Sequence, residues 1–401
     1  MNSAGGFSFT KQLSRIQDRY YNRRESLFKI AIGLMSVLAV LRLAYQFWRL
    51  LLDQKWNGAI DLRIMHEFVD SWFKGEPLKE ILHLPATYVI LWPFTGWISF
   101  ESARWLWAIL YIVFLIWCFS IVIAETGIKK REEILFAVLF ILSIYPTGIT
   151  IGNGQVILFL LPAILTAVLM ERGHESDITK DIIISFLFLF SSLKITVTAP
   201  FFLIPLITQR AFRPLAIAAC GYIILTYVAI TYRDTGLIET LQVWLVDSSA
   251  KATTRGYANL HIWLGNLGLK QLIFPFSFVF ISAFGFWLYR FRKIDIWIQL
   301  GVAAIVARLW TYHRLYDDLL ILVPMITIFR IVRSNRLSRN ESLAAELLLL
   351  VSWLGLLSPG SFLQLPFPLG TLFRTGQTII WISMLVFLLY YSYKARQAEP
   401  A

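Results

Sequence analysis

Apolar residues in this chain come in long runs rather than in alternation. Ile30 to Trp48, Trp105 to Ala124, Ile134 to Thr150, Ile182 to Leu206, Leu215 to Tyr232 and Thr378 to Tyr393 each reach or approach spanning length. A helix needs roughly 20 apolar residues to cross a bilayer. The pattern predicts an all-α, polytopic transmembrane protein. Its hydrophobic helices, about twelve within a range of ten to thirteen, fall at 27–51, 84–99, 103–124, 133–151, 155–171, 182–206, 212–232, 271–289, 295–311, 316–333, 344–358 and 376–393. Residues 1–26 read as a cytoplasmic leader ahead of an uncleaved signal anchor, 27–393 as one transmembrane domain, and 394–401 as a cytoplasmic tail. Two long external loops are expected at 52–83 and 233–270, with a shorter one at 359–375.

The first of these loops has a helical pattern of its own. Ile60, Ile64, Met65, Phe68 and Trp72 recur at helical spacing, and Gly75 and Pro77 stop the run. An amphipathic helix in the interface plane is the expected form. Asp61 falls on its first turn, where the helix dipole favours a carboxylate without any further role.

Composition agrees with the membrane assignment. Of 401 residues 57% are hydrophobic and 15% charged, and the mean hydropathy is +0.64. Soluble domains carry about 25% charged residues. The net charge of +12 does not form a nucleic-acid surface, because the basic residues cluster at segment ends. Arg15, Arg19, Arg23 and Arg24 precede the first run; Arg290, Arg292 and Lys293, then Arg330, Arg333, Arg336 and Arg339, then Lys394 and Arg396 follow later ones. Lys and Arg placed so read as cytoplasmic anchors. Cys118 and Cys220 sit inside apolar runs and supply neither a disulfide framework nor a zinc site.

Two features strain the twelve-helix count. Lys129, Lys130 and Arg131 land outside, so either 86–99 is re-entrant or Glu125, Glu132 and Glu133 balance them. Lys194 falls near the middle of an apolar run, where insertion scales put the cost at roughly 2.5–3.5 kcal/mol. An anionic partner, a wet cavity or a break in the helix would have to accommodate it.

Four short elements carry a resemblance. They are Ile60-Asp61-Leu62 with the downstream Lys74-Gly75-Glu76-Pro77; Gly152-Asn153-Gly154-Gln155 between two helices; Leu193-Lys194 with Pro200, Arg210 and Arg213; and Tyr312-His313-Arg314-Leu315-Tyr316 opening a late helix. In this order the chain resembles GT-C class membrane glycosyltransferases, most closely glycosyltransferase family 87, over residues 28–330. It departs from the family where Ile195 follows Lys194 in place of proline, and where His83-Leu84-Pro85-Ala86 replaces a Tyr-Pro-Pro element.

The resemblance implies a polyprenyl-phosphate-sugar donor, with mannose favoured, a lipid or glycan acceptor outside the cell, and a multi-pass protein of the bacterial inner membrane. It implies Asp61 as general base for an inverting transfer, and Lys194, His313 and Arg314 as candidates for the donor phosphate. Asn57, Glu67, Asn153, Gln155, Asn259, His261 and Tyr316 are candidates for sugar or acceptor contacts. The second long loop adds Trp244, Tyr257 and Trp263, residue types that also suit any membrane interface. In the twelve-helix count the Gly152–Gln155 turn lies inside, away from Asp61. Asp317 and Asp318 point about 100° apart on a helix and read as structural rather than metal ligands. No cofactor and no metal are expected. A flippase for lipid-linked saccharides and an O-antigen ligase or polymerase are the alternatives; the absence of two similar halves weighs against a transporter.

Overall fold

The structure is a computed structural model, and it describes residues 9–55, 57–78, 80–81, 83–173, 177–254 and 259–397. All regular elements among them are helical. In chain order they are α1 (Phe9–Leu51), α2 (Ile60–Phe73), α3 (Pro85–Thr95), α4 (Phe100–Thr126), α5 (Arg131–Ser143), α6 (Tyr145–Asn153), α7 (Ile157–Met170), α8 (Ile178–Ser191) and α9 (Ile195–Ile204). The second half holds α10 (Phe212–Ile230), α11 (Leu237–Thr254), α12 (Leu260–Asn266), α13 (Ile273–Arg290), α14 (Ile296–Leu309), α15 (Leu322–Arg333), α16 (Arg339–Leu357) and α17 (Leu369–Gln397). From Phe9 onward the expected leader is helix continuous with the first apolar run; its first eight residues lie outside the described part.

Local chemistry explains the boundaries. Ser99 caps α4 by accepting from the Ser102 N–H, and Asp295 does the same for α14 through Trp297. A reciprocal Ser338–Glu341 box opens α16. Helix α7 is apolar all round and α14 is so except for Gln299 and Arg308; both are buried along almost their whole length. Such helices form the centre of a bundle. Helices α1, α10, α13 and α16 turn exposed Leu, Ile, Val and Phe outward, as lipid-facing surfaces do.

Among the described residues, seven segments are long and apolar enough to cross a membrane, or eight if the bent pair α5–α6 counts as one. The expected count of about twelve (10–13) is not confirmed, and one of the expected segments is short. Helix α3, placed at 84–99, has 11 residues, a rise of roughly 16 Å against a hydrocarbon core of about 30 Å. It packs beside α2 and α10, with Tyr88 stacked on Trp72 at 4.2 Å and the Trp72 indole donating to the Ala229 carbonyl at 2.9 Å.

The run with the central lysine is not a straight span either. Phe188 and Phe202 are 14 positions apart, which in one continuous helix would separate them by roughly 21 Å, yet their ring centroids are 5.5 Å apart. Asp181 before the break pairs with Arg213 beyond α9 at 3.2 Å. Ile178–Gln209, a candidate span by length and hydropathy, therefore folds back on itself, and the short turn Ser192–Lys194 is its apex.

These contacts also sort the bundle's two ends. Arg104, at the start of α4, donates to the backbone carbonyls of Arg49, Leu50 and Asp53. At the finish of α4, Glu125 meets Arg172, Arg330 and the Trp297 indole, and Arg333 reaches Glu133 and the Gly127 carbonyl. Helices α5 and α6, bent by 53°, return to the first end, where the Ala59 N–H donates to the Gly152 carbonyl at 3.1 Å. The Gly152–Gln155 turn therefore shares an end with Asp61, and Lys129–Arg131 lies at the opposite one. Treating α3 as a crossing is what had placed Lys129–Arg131 outside and the Gly152–Gln155 turn inside.

The two topologies predict different labelling. In a cysteine-free background, cysteines introduced at the exposed positions Asn57 and Lys129 should react with an impermeant maleimide from opposite sides of the membrane. Labelling of both from the same side would restore the crossing at α3.

Candidate active site

The site begins where α6 packs along α1. A Cβ on Gly148 would sit 2.8 Å from Arg42 Cγ, and one on Gly152 only 1.8 Å from Gln46 Oε1 and 2.9 Å from Arg49 Nη1. Glycine at both positions lets the helices approach closely enough for Arg49 to reach across. Gly154 closes α6 at φ +78° with its Cα side against Leu62, a conformation that costs glycine little. The turn is braced from below by α4. The Tyr111 hydroxyl lies 3.0 Å from the Thr150 carbonyl and 2.8 Å from that of Gln155, and the Trp107 indole donates to the Gly154 carbonyl at 3.1 Å.

Asp61, on the first turn of α2, is delivered against this turn. Its Oδ2 is buried without a hydrogen-bond partner. Burial pushes the carboxyl upward from its ordinary value; the side chains of Gln155 and Asn153 and the charges of Arg314 and Lys194 pull the other way. Desolvation wins, because the cations act from beyond direct contact.

The opposite wall is built on Asp317. Its Oδ1 accepts from Lys194 Nζ at 2.6 Å, and its Oδ2 lies 3.2 Å from His313 Nδ1 and accepts the Arg314 N–H at 3.1 Å. Lys194 also stands 4.8 Å over the Tyr316 ring, and Arg314 Nε donates to the Tyr312 hydroxyl at 2.6 Å. The ammonium in the apolar run is thus stabilised twice over, by a helix break and by a carboxylate partner. Because Asp317 is acceptor-only, His313 presents Nδ1–H to it, and Nε2 is left buried without a partner. Burial lowers the imidazole's affinity for a second proton.

Asp317 and Asp318 behave as two unrelated structural groups. Asp318 pairs with Arg308, both fully buried. Among the described residues no three His, Cys, Asp or Glu side chains gather as metal ligands do.

Of the expected residues, Asp61, Asn153, Gln155, Lys194, His313, Arg314 and Tyr316 come together at one end of the bundle. Asn259 and His261 join them only at the edge. His261 lies within electrostatic reach of His313, and burial pushes its imidazole down to about 4. Its Nε2 faces Ser277 at 2.8 Å, while Asn259 Oδ1 caps α12 and its Nδ2 is buried without a partner. Asn57 contributes a backbone carbonyl to Arg49 but its side chain is exposed, and Glu67 is exposed on α2. Tyr257 lies outside the described residues. Sequence reasoning missed Arg49, which bonds Asn153 Oδ1 at 2.9 Å, and Tyr111. Neither had a motif; only the packing of α1 and α4 on α6 brings them in. A separate cavity of about 540 Å³ opens at the opposite end, between Asp295, Trp297, Arg330 and Tyr391, and none of the site residues lines it.

A helical membrane bundle that encloses a buried carboxylate opposite two cations is built like a membrane-embedded group-transfer enzyme. The chain belongs to glycosyltransferase family 87, whose sequence profile matches residues 83–359, and it is accordingly a membrane glycosyltransferase. No curated protein and no solved structure matches it closely enough to refine that assignment. Asp61 precedes the matched stretch.

Removing one partner of a fully buried ion pair costs about 3–5 kcal/mol. Arg308→Met should therefore lower the thermal unfolding midpoint strongly in detergent, and the double substitution Arg308→Met/Asp318→Leu should recover most of the loss. A single variant as stable as the parent would mean that the pair does not hold the loop before α15.

Proposed function

We propose that the protein transfers a hexose or pentose, mannose by preference, from a polyprenyl-phosphate-sugar donor to a lipid or glycan acceptor on the extracytoplasmic face of a bacterial inner membrane. The observation that carries this reading is the Asp61 carboxylate, buried with Oδ2 open, in electrostatic reach of Arg314 and Lys194. Sugar transfer needs both halves of that arrangement. As the acceptor hydroxyl attacks the anomeric carbon, its proton passes to the carboxylate, and a base whose affinity for protons is raised by burial takes it more readily. As the glycosidic bond breaks, negative charge grows on the departing lipid phosphate, and fixed cations stabilise it. Arg314 and Lys194 supply that charge. His313, neutral at its buried position, adds a phosphate contact only once protonated; otherwise its Nε2 accepts from a sugar hydroxyl. Asn153, Gln155, Tyr316 and the Asn259–His261 edge are the remaining polar surface for hydroxyls.

One base and direct displacement invert the anomeric centre. The distribution of charge supports the orientation. Lys129–Arg131, Arg330, Arg333, Arg290 and Arg396 meet at the end opposite Asp61. Lys and Arg favour the cytoplasmic side, so the site faces the other way.

Asp61→Asn, folded and purified, should lose about 10²–10⁴-fold in transfer from polyprenyl-phosphate-mannose. In the parent enzyme kcat/KM should climb with pH through a point above the ordinary carboxylate range, since only the deprotonated base works. Near-parental turnover by the Asn variant would end the assignment. Nucleotide-sugar donors should not replace the lipid-linked one, and the product linkage, read by NMR, should have anomeric configuration opposite to the donor's.

A further inference from the structure

We infer that Arg49 is a positioning residue for this transfer: it clamps the Asn153 amide so that its NH₂ group faces Asp61 and Oδ2 of Asp61 stays open to the acceptor hydroxyl. The inference rests on Asp61 being the base. Its ground is a matter of donors and acceptors. Arg49 Nη2 lies 2.9 Å from Asn153 Oδ1 and 2.7 Å from the Asn57 carbonyl, while Nη1 lies 2.9 Å from Gln46 Oε1. A guanidinium only donates, and an ionised carboxylate only accepts. The Asn153 turn abuts the start of α2, which puts the Asn153 side chain within interaction range of the Asp61 carboxylate. An amide has one acceptor and one NH₂ group, so a single orientation satisfies both neighbours. The flipped amide would set oxygen against carboxylate and NH₂ against guanidinium.

The surroundings are shaped for the clamp. Gly152 leaves the space that Gln46 and Arg49 occupy, where a Cβ would collide at 1.8 Å and 2.9 Å. Arg49 also ties the backbone at Asn57, three residues before α2 begins, to the Asn153 turn. One fork thus fixes both the base's helix and its partner. A direct Arg49–Asp61 ion pair would hold the carboxylate ionised and weaken it as a base. An interposed amide supplies a hydrogen bond without the full charge. Lysine could not substitute, because a compact ammonium lacks the planar fork that reaches three acceptors in fixed directions. The titratable groups that face Asp61 from other elements are Arg314, Lys194, Tyr111, Tyr312 and Tyr316; substitution at Arg49 leaves all five in place.

The test uses the full chain in lipid nanodiscs, with polyprenyl-phosphate-mannose as donor, and compares kcat/KM against pH for Arg49→Lys, Arg49→Met, Asn153→Ala, the double variant Arg49→Met/Asn153→Ala, and Asp61→Asn. Both Arg49 variants should lose about tenfold in kcat/KM near neutral pH, the size of one hydrogen bond to a charged group. The acid limb of the profile should move upward by about one pH unit, the equivalent of that tenfold. The double variant should be no worse than Asn153→Ala alone, since residues acting through one another are not additive. Should Arg49→Met unfold, the limb of Arg49→Lys decides the matter. A limb at the parental position, or losses that multiply in the double variant, would overturn the clamp while an inactive Asp61→Asn left the base in place. Transfer retained by Asp61→Asn would remove the base assignment and the clamp with it.

Discussion

A single charge sets the layout of this site. An ammonium carried into the apolar interior must find a counter-charge, because water cannot reach it cheaply. Lys194 finds Asp317 at 2.6 Å, and the two sit on segments far apart in the chain. The pairing requires the helix that carries Lys194 to stop and turn back there, and it requires the loop after α14 to pass the same point. Asp317 then orients His313 and the Arg314 backbone in the same stroke. Removing the carboxylate would leave three donors without their acceptor.

Facing this charged wall, the carboxylate side is assembled by close packing. Two glycines on α6 let that helix lie against α1 with almost nothing between them, and the polar ends of Gln46 and Arg49 occupy the gap. Close contact matters because Asp61 sits on a separate helix after a loop. Its position depends on Arg49 holding Asn57, and on the Ala59 backbone bonding Gly152. The site is therefore one half ion pair and one half backbone contact. In the proposed transfer, the first half would supply the cations for the leaving phosphate, and the second the desolvated base.

Much of this was legible in the amino-acid order. Apolar runs announced a helical membrane protein, the spacing of Ile60, Met65, Phe68 and Trp72 announced α2, and all twelve expected segments fall on helix. Apolar runs by themselves did not fix the number of crossings. A helix such as α14 is apolar because it is wrapped by other helices, and composition cannot distinguish that environment from lipid. Helix α3, with 11 residues, stops short of a crossing and rests on α2 and α10. The same ambiguity hid the fold-back at Lys194, since two short antiparallel helices and one long helix can share a sequence of Phe, Leu and Ile.

Residue chemistry was thus set locally, and its pairing was not. The chain by itself determined that the protein is helical and membrane-embedded, that α2 is amphipathic with an acid on its first turn, and that a lysine in an apolar run demanded accommodation, because burial, dipole and desolvation act within a few residues. Tertiary structure alone decided that this lysine meets Asp317, that Gly152–Gln155 lies beside Asp61, and that Arg49 reaches Asn153. Those contacts join positions about 100 residues or more from each other in most cases. Only the closure of the bundle brings them within hydrogen-bond range, and no periodicity along the chain encodes it.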